Sequence, residues 1–460
     1  MHITWPTRLS TISYGGLIAL AGVLTPVITA SADTLEDSIL RALSFNPDVG
    51  VVQSDRRAID QELRQARALY LPSIDLRAAI GPEFTNSTGT RARDSRPPGG
   101  DASALLTRME TQLTLTQMLF DGYATDSEVE KQLARTNSAA YRVAEAAEFI
   151  ALDAIEAHLD VLRNQDLVRQ AEQNLAAHQV ILNRIREDSG FNKFKLSELN
   201  LSEARYAAAS EVLATAKGNL RDAKARYVRA AGVEPDDLEN RPVPKGTLPR
   251  GAESAAQRAS VNSPTIKIAN ADIDVAKADL KGSRSGYYPR IDLEVGTAAN
   301  RQIDGFTGSN VDAQALLVLR YNLFRGGGDI AREREAFSRL GQSRETLRQA
   351  RNEAEEQARL SFNALRTAEA RVLALSRQTN ANAATRQGFA EEFDAGDRNL
   401  LDRLDVENEY YLSKANLTTA EYTRDFAVYR VLAVTGDLLP TLDIDHPKES
   451  INIWRERTPE

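Results

Sequence analysis

Apolar residues recur along this chain with two different periods. Ala154, Val161, Val168, Leu175 and Leu182 follow one another every seven residues, and Ile150, Ala157, Asn164, Ala171, His178 and Ile185 form a second column beside them. Two interleaved columns of this kind are a coiled-coil seam. Leu199, Tyr206, Leu213, Leu220 and Tyr227 continue it after a break at Ser189-Gly190. Further along, Leu340, Leu347, Ala354, Ala368 and Leu375 repeat the pattern, followed by a break at Ala395-Gly396 and then Leu401, Ala415, Tyr422 and Tyr429. The stretches Tyr123 to Glu187 and Gly328 to Glu392 hold 65 residues each. As unbroken helices each would reach about 95 to 100 Å.

Between the helical stretches the period falls to two. Ile74, Leu76, Ala78 and Ile80 alternate with Ser73, Asp75, Arg77 and Ala79, and Met109, Thr111, Leu113 and Leu115 alternate with Arg108, Glu110, Gln112 and Thr114. Ile291, Leu293 and Val295, then Val311, Ala313, Ala315, Leu317 and Leu319, do the same later in the chain. These runs predict strands over about 72–81, 105–117, 289–298 and 311–322. Their length suits a tilted strand crossing a bilayer, and their alternation equally suits any half-buried sheet. Four strands cannot close a barrel, and open edges are not tolerated in lipid. Insertion therefore requires several chains, and three would supply twelve strands.

The layout is written twice. Tyr70-Leu-Pro-Ser-Ile-Asp-Leu76 recurs 217 positions later as Tyr287-Tyr-Pro-Arg-Ile-Asp-Leu293, and the run Leu113 to Gly122 recurs 204 positions later as Leu317 to Gly326. The first copy carries 13 extra residues around Thr85 to Asp101, where Arg91, Arg93, Arg96, Pro97, Pro98, Gly99 and Gly100 read as an exposed loop. The expected organisation is a first repeat over 33–231, with a long helix at about 123–188 and another at 194–231. A Pro-rich linker follows over 232–251, then a second repeat over 252–436, with helices at about 328–393 and 398–435, and a tail over 437–460. Pro235, Pro242, Pro244 and Pro249 forbid a continuous helix through the linker.

Residues 1–32 read as a secretory signal: Arg8 precedes an apolar stretch from Tyr14 to Ala30, and Ala30-Ser31-Ala32 supplies a cleavage site. An N-terminal anchor is the alternative, against which stand Pro26, the short run and the charges at Asp33, Glu36 and Asp37. The formal charge of −8 disfavours nucleic acid as a partner. With no Cys there is no disulfide, thiolate metal site or Cys nucleophile. The four histidines are His2, His158, His178 and His446, and HExxH, P-loop and GxSxG motifs are absent, so the chain reads as neither enzyme nor cofactor protein.

These residues together resemble the TolC family of trimeric outer-membrane export channels over essentially the whole mature chain. Carrying the resemblance are the duplicated layout, the Tyr-x-Pro-x-Ile-Asp-Leu strand entries, the Leu-Phe-x-Gly exits at Leu119 to Gly122 and Leu323 to Gly326, and Gly396-Asp-Arg-Asn-Leu-Leu-Asp-Arg-Leu-Asp405. It implies a mainly α fold with a membrane β-barrel part: a homotrimer with a twelve-strand barrel in outer-membrane lipid, continued by a coiled-coil periplasmic tunnel. It also implies a periplasmic adaptor and an inner-membrane ABC transporter or other pump as partners. Leu119 to Thr125 and Gly396 to Asn408 look more like the type I protein-secretion branch than the drug-efflux branch. A soluble periplasmic coiled-coil scaffold is the competing class.

The same resemblance implies a periplasmic gate. Phe393 stands where the family has a tip aromatic, Arg398 where it has a restraining basic residue, and Asp402 and Asp405 where it has ring carboxylates. Glu198 is a candidate partner for Arg398, and Gly190 and Gly396 mark the hairpin tips where an adaptor would dock. The plainer reading of these charges is solvated helix surface. Tyr70, Phe120, Tyr287 and Phe324 fall at strand–helix junctions, where an interfacial aromatic belt and packing within the protein are both open.

Overall fold

The computed structural model describes residues 34–88, 90, 103–189, 196–239, 243–244 and 246–452. The expected signal over 1–32, the tip residue Gly190 and most of the Arg-rich loop lie outside the described residues.

Each repeat opens with two short helices. In the first they are α1 (Leu35–Phe45) and α2 (Pro47–Ala68), and in the second α5 (Ala252–Asn262) and α6 (Pro264–Ser283). Thr34 and Asp37 cap α1 reciprocally, the Thr34 hydroxyl accepting from the Asp37 N–H at 3.2 Å. Asn46-Pro47 and Ser263-Pro264 make the break between the helices in both copies. Proline there starts the second helix, because the first turn has no use for its missing N–H.

Two long helical hairpins follow the strands. They are α3 (Ala124–Ser189) with α4 (Leu196–Ala231), and α7 (Gly328–Ala395) with α8 (Leu400–Thr435). Tyr123 takes a left-handed φ of 68°, so α3 begins one residue beyond it. The Asp121 carboxylate caps this start, accepting from the N–H groups of Ala124 at 3.0 Å and Thr125 at 2.8 Å.

The main core gathers α1, α3, α4, α8 and the single turn Leu438–Thr441. Ile39, Ile155, Val161, Tyr227, Leu432, Leu438 and Leu439 are all buried in it. Small residues on α3, among them Ala147, Ala151 and Ala154, let neighbouring helices approach closely. Inside this core the Ser38 hydroxyl lies 2.9 Å from both His158 Nδ1 and the Tyr227 hydroxyl, and His158 Nε2 lies 3.1 Å from the Glu239 carbonyl. The linker is thereby tied to α3 by a polar chain that is buried at Ser38, His158 and Tyr227 and reaches the surface at Glu239.

Strands β1 (Ser73–Thr85), β2 (Ala104–Phe120), β3 (Arg290–Arg301) and β4 (Ser309–Arg320) form one antiparallel sheet in that order. Strand β1 runs past the expected end at about residue 81, through Pro82 to Thr85. As an edge strand it loses little by Pro82 having no N–H to give. Strand β4 stops at Arg320, where Asn322 turns the chain by accepting from the Phe324 N–H at 3.0 Å.

Register places the alternating apolar positions read from the sequence on one face, while Leu316 and Val318 lie on the other, opposite Glu294 and Asp292. Ile74, Leu115, Val295 and Ala315 form one row, and Leu76, Leu113, Thr297 and Ala313 the next. The other face carries Asp75, Arg77, Arg108, Glu110, Glu294 and Asp312. Near the helix junctions on that face, Asp292 is enclosed between Arg290 at 2.9 Å and Arg320 at 2.7 Å, and Arg320 also reaches Glu294 at 2.6 Å. Among the described residues no helix is long and apolar enough to cross a membrane.

The two Leu-Phe-x-Gly exits differ in what surrounds their glycines. Gly122 has φ +70°, and a Cβ there would lie 2.7 Å from the Ser285 carbonyl oxygen, whereas Gly326 has φ +63° and faces open space. Gly326→Ala is expected to cost about 1–2 kcal/mol from backbone strain alone. Gly122→Ala should cost more, giving the lower thermal midpoint of the two purified variants.

Candidate functional site

The turn joining α7 to α8 is built from its own caps. The Gly396 N–H donates to the Phe393 carbonyl at 3.1 Å and the Asp397 N–H to the Glu392 carbonyl at 2.9 Å, closing α7. The Asn399 side chain accepts from the Asp402 N–H at 2.8 Å, opening α8. Arg398, between the caps, folds back on the turn. It donates to Glu392 at 2.8 Å, lies 3.6 Å from Asp402, and stacks over the Phe389 ring at 3.9 Å. Its ionic partners among the described residues all belong to the second repeat, and Glu198, in the first turn of α4, is not one of them.

Two other arginines tie the hairpins together at this level. Arg184 of α3 pairs with Asp394 of α7 and lies over the Phe393 ring at 5.6 Å. Arg205 of α4 reaches Asp405 of α8 at 2.7 Å. Beneath these pairs, Ile181, Ile185, Leu400 and Leu404 form a small apolar pad, with Phe393 packed against it. Asp402 and Asp405 thus have different partners, one local and one across the repeats.

Higher up, the contact between α3 and α8 becomes polar. Lys414 donates to Gln173 at 3.1 Å, Gln170 to Thr418 at 2.7 Å, and the Tyr422 hydroxyl to Asp166 at 3.0 Å. Burial among α3 and α8 and the nearby Asp166 carboxylate push the Tyr422 hydroxyl well above the usual tyrosine range. Glu407 of α8 is almost wholly buried, 3.1 Å from Arg386 and 2.7 Å from Arg403.

Sequence reading had not singled out Arg184, Arg205, Arg386 or Glu407. A signal for two of them was present: Arg184 and Arg205 each immediately precede a seam residue, Ile185 and Tyr206. Charges flanking a coiled-coil seam are those that reach a neighbouring helix.

Three of the four junction aromatics are engaged within the chain. Tyr70 donates to Asp126, and Tyr287 to Glu333 at 3.0 Å, each tying a strand entry to the start of a long helix. Phe120 meets Tyr123 and Tyr288 edge-to-face, with ring centroids 5.5 and 6.5 Å away. Phe324 remains 83% exposed beside Leu323, which is 87% exposed.

Residues 255–437 match the family model described as outer membrane efflux protein. Over 425 residues the chain is 24% identical to the outer membrane efflux protein BepC of Brucella suis biovar 1, covering 91% of this chain and 89% of BepC. It is 23% identical to the proteases secretion protein PrtF of Dickeya chrysanthemi, with 84% and 82% covered. The solved structure of CusC, a protein that undergoes transmembrane channel formation, superposes with a TM-score of 0.74 at 14% identity, covering 88% of this chain and 92% of CusC. The chain's duplicated hairpins and four-strand sheet share the fold of CusC, and with the match over 255–437 these likenesses make it similar to the outer membrane efflux proteins, among its relatives the outer membrane protein TolC.

Proposed function

We propose that this protein is the outer-membrane exit duct of a tripartite export system. It works as a homotrimer with a periplasmic adaptor and an inner-membrane transporter in a Gram-negative cell. The observation that carries the reading is the sheet: one continuous apolar face, one charged face and two unpaired edges. Three copies joined edge to edge give a closed twelve-strand barrel with lipid outside and water within. The paired long helices continue that barrel as a tunnel through the periplasm.

For cargo we favour protein, delivered by an ABC transporter in type I secretion. Similarity to PrtF supports this, as do the phrases at Leu119 to Thr125 and Gly396 to Asn408. Small-molecule efflux is the second reading, supported by the likeness to BepC over most of both chains. Deleting the gene and measuring secreted protease against susceptibility to lipophilic drugs separates them: loss of secretion with unchanged susceptibility fits the first.

The α7–α8 turn is the periplasmic gate in this reading. Asp402 and Asp405 from three chains crowd six carboxylates around one opening, which attracts cations. Gly190 and Gly396 are the tips on which the adaptor docks. Phe324, exposed at the strand exit, meets lipid at the interface.

Membrane fractionation should recover the protein as a heat-modifiable trimer that requires detergent; release by osmotic shock as a soluble monomer would sink the duct. In planar bilayers, Asp402→Ala with Asp405→Ala should lower cation selectivity, the more so because Arg205 then loses its carboxylate. Arg398→Ala should enlarge the resting conductance by loosening the turn. Removing Arg184 and Arg205 together should do so further, by about two- to thirtyfold, since each exposed pair is worth roughly 0.2–1 kcal/mol and the two together about 0.4–2 kcal/mol.

A further inference from the structure

The seam between the two hairpins changes character along its length. In the main core it is largely apolar, with His158 enclosed among Ala, Val, Ile, Leu and Tyr side chains, but below Asp166 the buried positions include Asn174 and His178 of α3 and Thr418 of α8, and within the second hairpin Thr379 donates to the Ser413 carbonyl at 3.1 Å. Coiled coils ordinarily keep such positions apolar, and each polar replacement lowers the cost of separation.

At the lower end of this polar stretch sits His178, 3% exposed, with its Nδ1 buried and without a hydrogen-bond partner. Groups from three other helices bear on it. From α8 come Glu407 and Arg403, from α4 comes Arg205, and from α7 comes Arg386, which acts through Glu407. Arg205 is itself committed to Asp405. Burial holds the imidazole below its ordinary value. The Glu407 carboxylate pulls the other way, and the guanidiniums of Arg205 and Arg403 add to the depression.

We propose that His178, set against Glu407, is a proton-sensitive joint between the two helical hairpins, neutral while they are packed and protonated as they part, so that acidification loosens the periplasmic tips. The proposal rests on the tips being the gate. The sign follows from linkage. A base whose packed form titrates below its solvated form favours packing above the solvated pKa of about 6.5, and that preference is lost as pH falls from there toward the packed value. Glu407 is the positioning residue, because it holds Arg386 and Arg403 against the same surface. Neither residue touches cargo.

The test is the resting conductance of the full-length protein in planar bilayers, followed from about pH 7.5 to about pH 5. The wild-type closed-to-open balance should shift toward open by up to about tenfold for each pKa unit separating the packed from the solvated imidazole. His178→Gln, which fills the site and takes up no proton, should flatten that response. His178→Asn provides the same reading should the Gln variant fail to assemble as a trimer. A flat wild-type profile overturns the joint, and so does an acid response that survives in either variant. Arg398→Ala at about pH 7.5 separates this from the gate itself. If it opens the channel while the acid response is missing, the joint alone is wrong; if it changes nothing, the gate assignment fails first.

Discussion

A backbone amide in hydrocarbon has no water to turn to, and this one constraint organises the molecule. The chain contributes four strands whose outer two, β1 and β4, each leave a row of N–H and C=O groups without partners. In water such an edge invites aggregation; in lipid it is untenable. Closure by copies of the same chain gives these rows their partners, and it makes the pore and the barrel a single event. The alternating side chains then divide lipid from lumen with no further device.

Below the sheet, stiffness and release are distributed along the same helices. Where α3 passes through the main core, its neighbours are α1, α4, α8 and the turn Leu438–Thr441, and the contact is tight and apolar. Toward the tips that contact gives way to single hydrogen bonds, a few ion pairs and the pad around Ile185 and Leu404. Parting the hairpins there exposes little apolar surface, whereas parting them higher would open the core.

Much of this was legible in the sequence because it depends on periodicity. Seven-residue columns marked the long helices and two-residue alternation the strands, and both are local consequences of how side chains leave the backbone. What escaped depended on neighbours far away in the chain. Pro82 looks like a strand breaker until β1 is known to be an edge. The break at Asn46-Pro47, repeated at Ser263-Pro264, was present in the text but carries no hydrophobic signal. At the candidate site Glu198 is only a candidate partner for Arg398, and within the chain the ionic partners of Arg398 are Glu392 and Asp402, within reach of its own turn. The arginines that do span the repeats, Arg184 and Arg205, have partners 200 or more residues away, and spacing along the chain does not encode those pairings.

The charged knot of Arg290, Asp292, Glu294 and Arg320 bears on how such a chain is delivered. All four side chains come from one hairpin of one copy, so their charges cancel before any neighbour arrives. A newly exported chain can therefore travel with this part of its water-facing surface already neutral and internally bonded. The backbone rims are left as what a second copy must supply. At this knot, joining a neighbour is a matter of amide pairing, and the charges that remain for a neighbour to meet are those of the edge strands, Asp75 and Arg77 on β1 and Asp312 on β4.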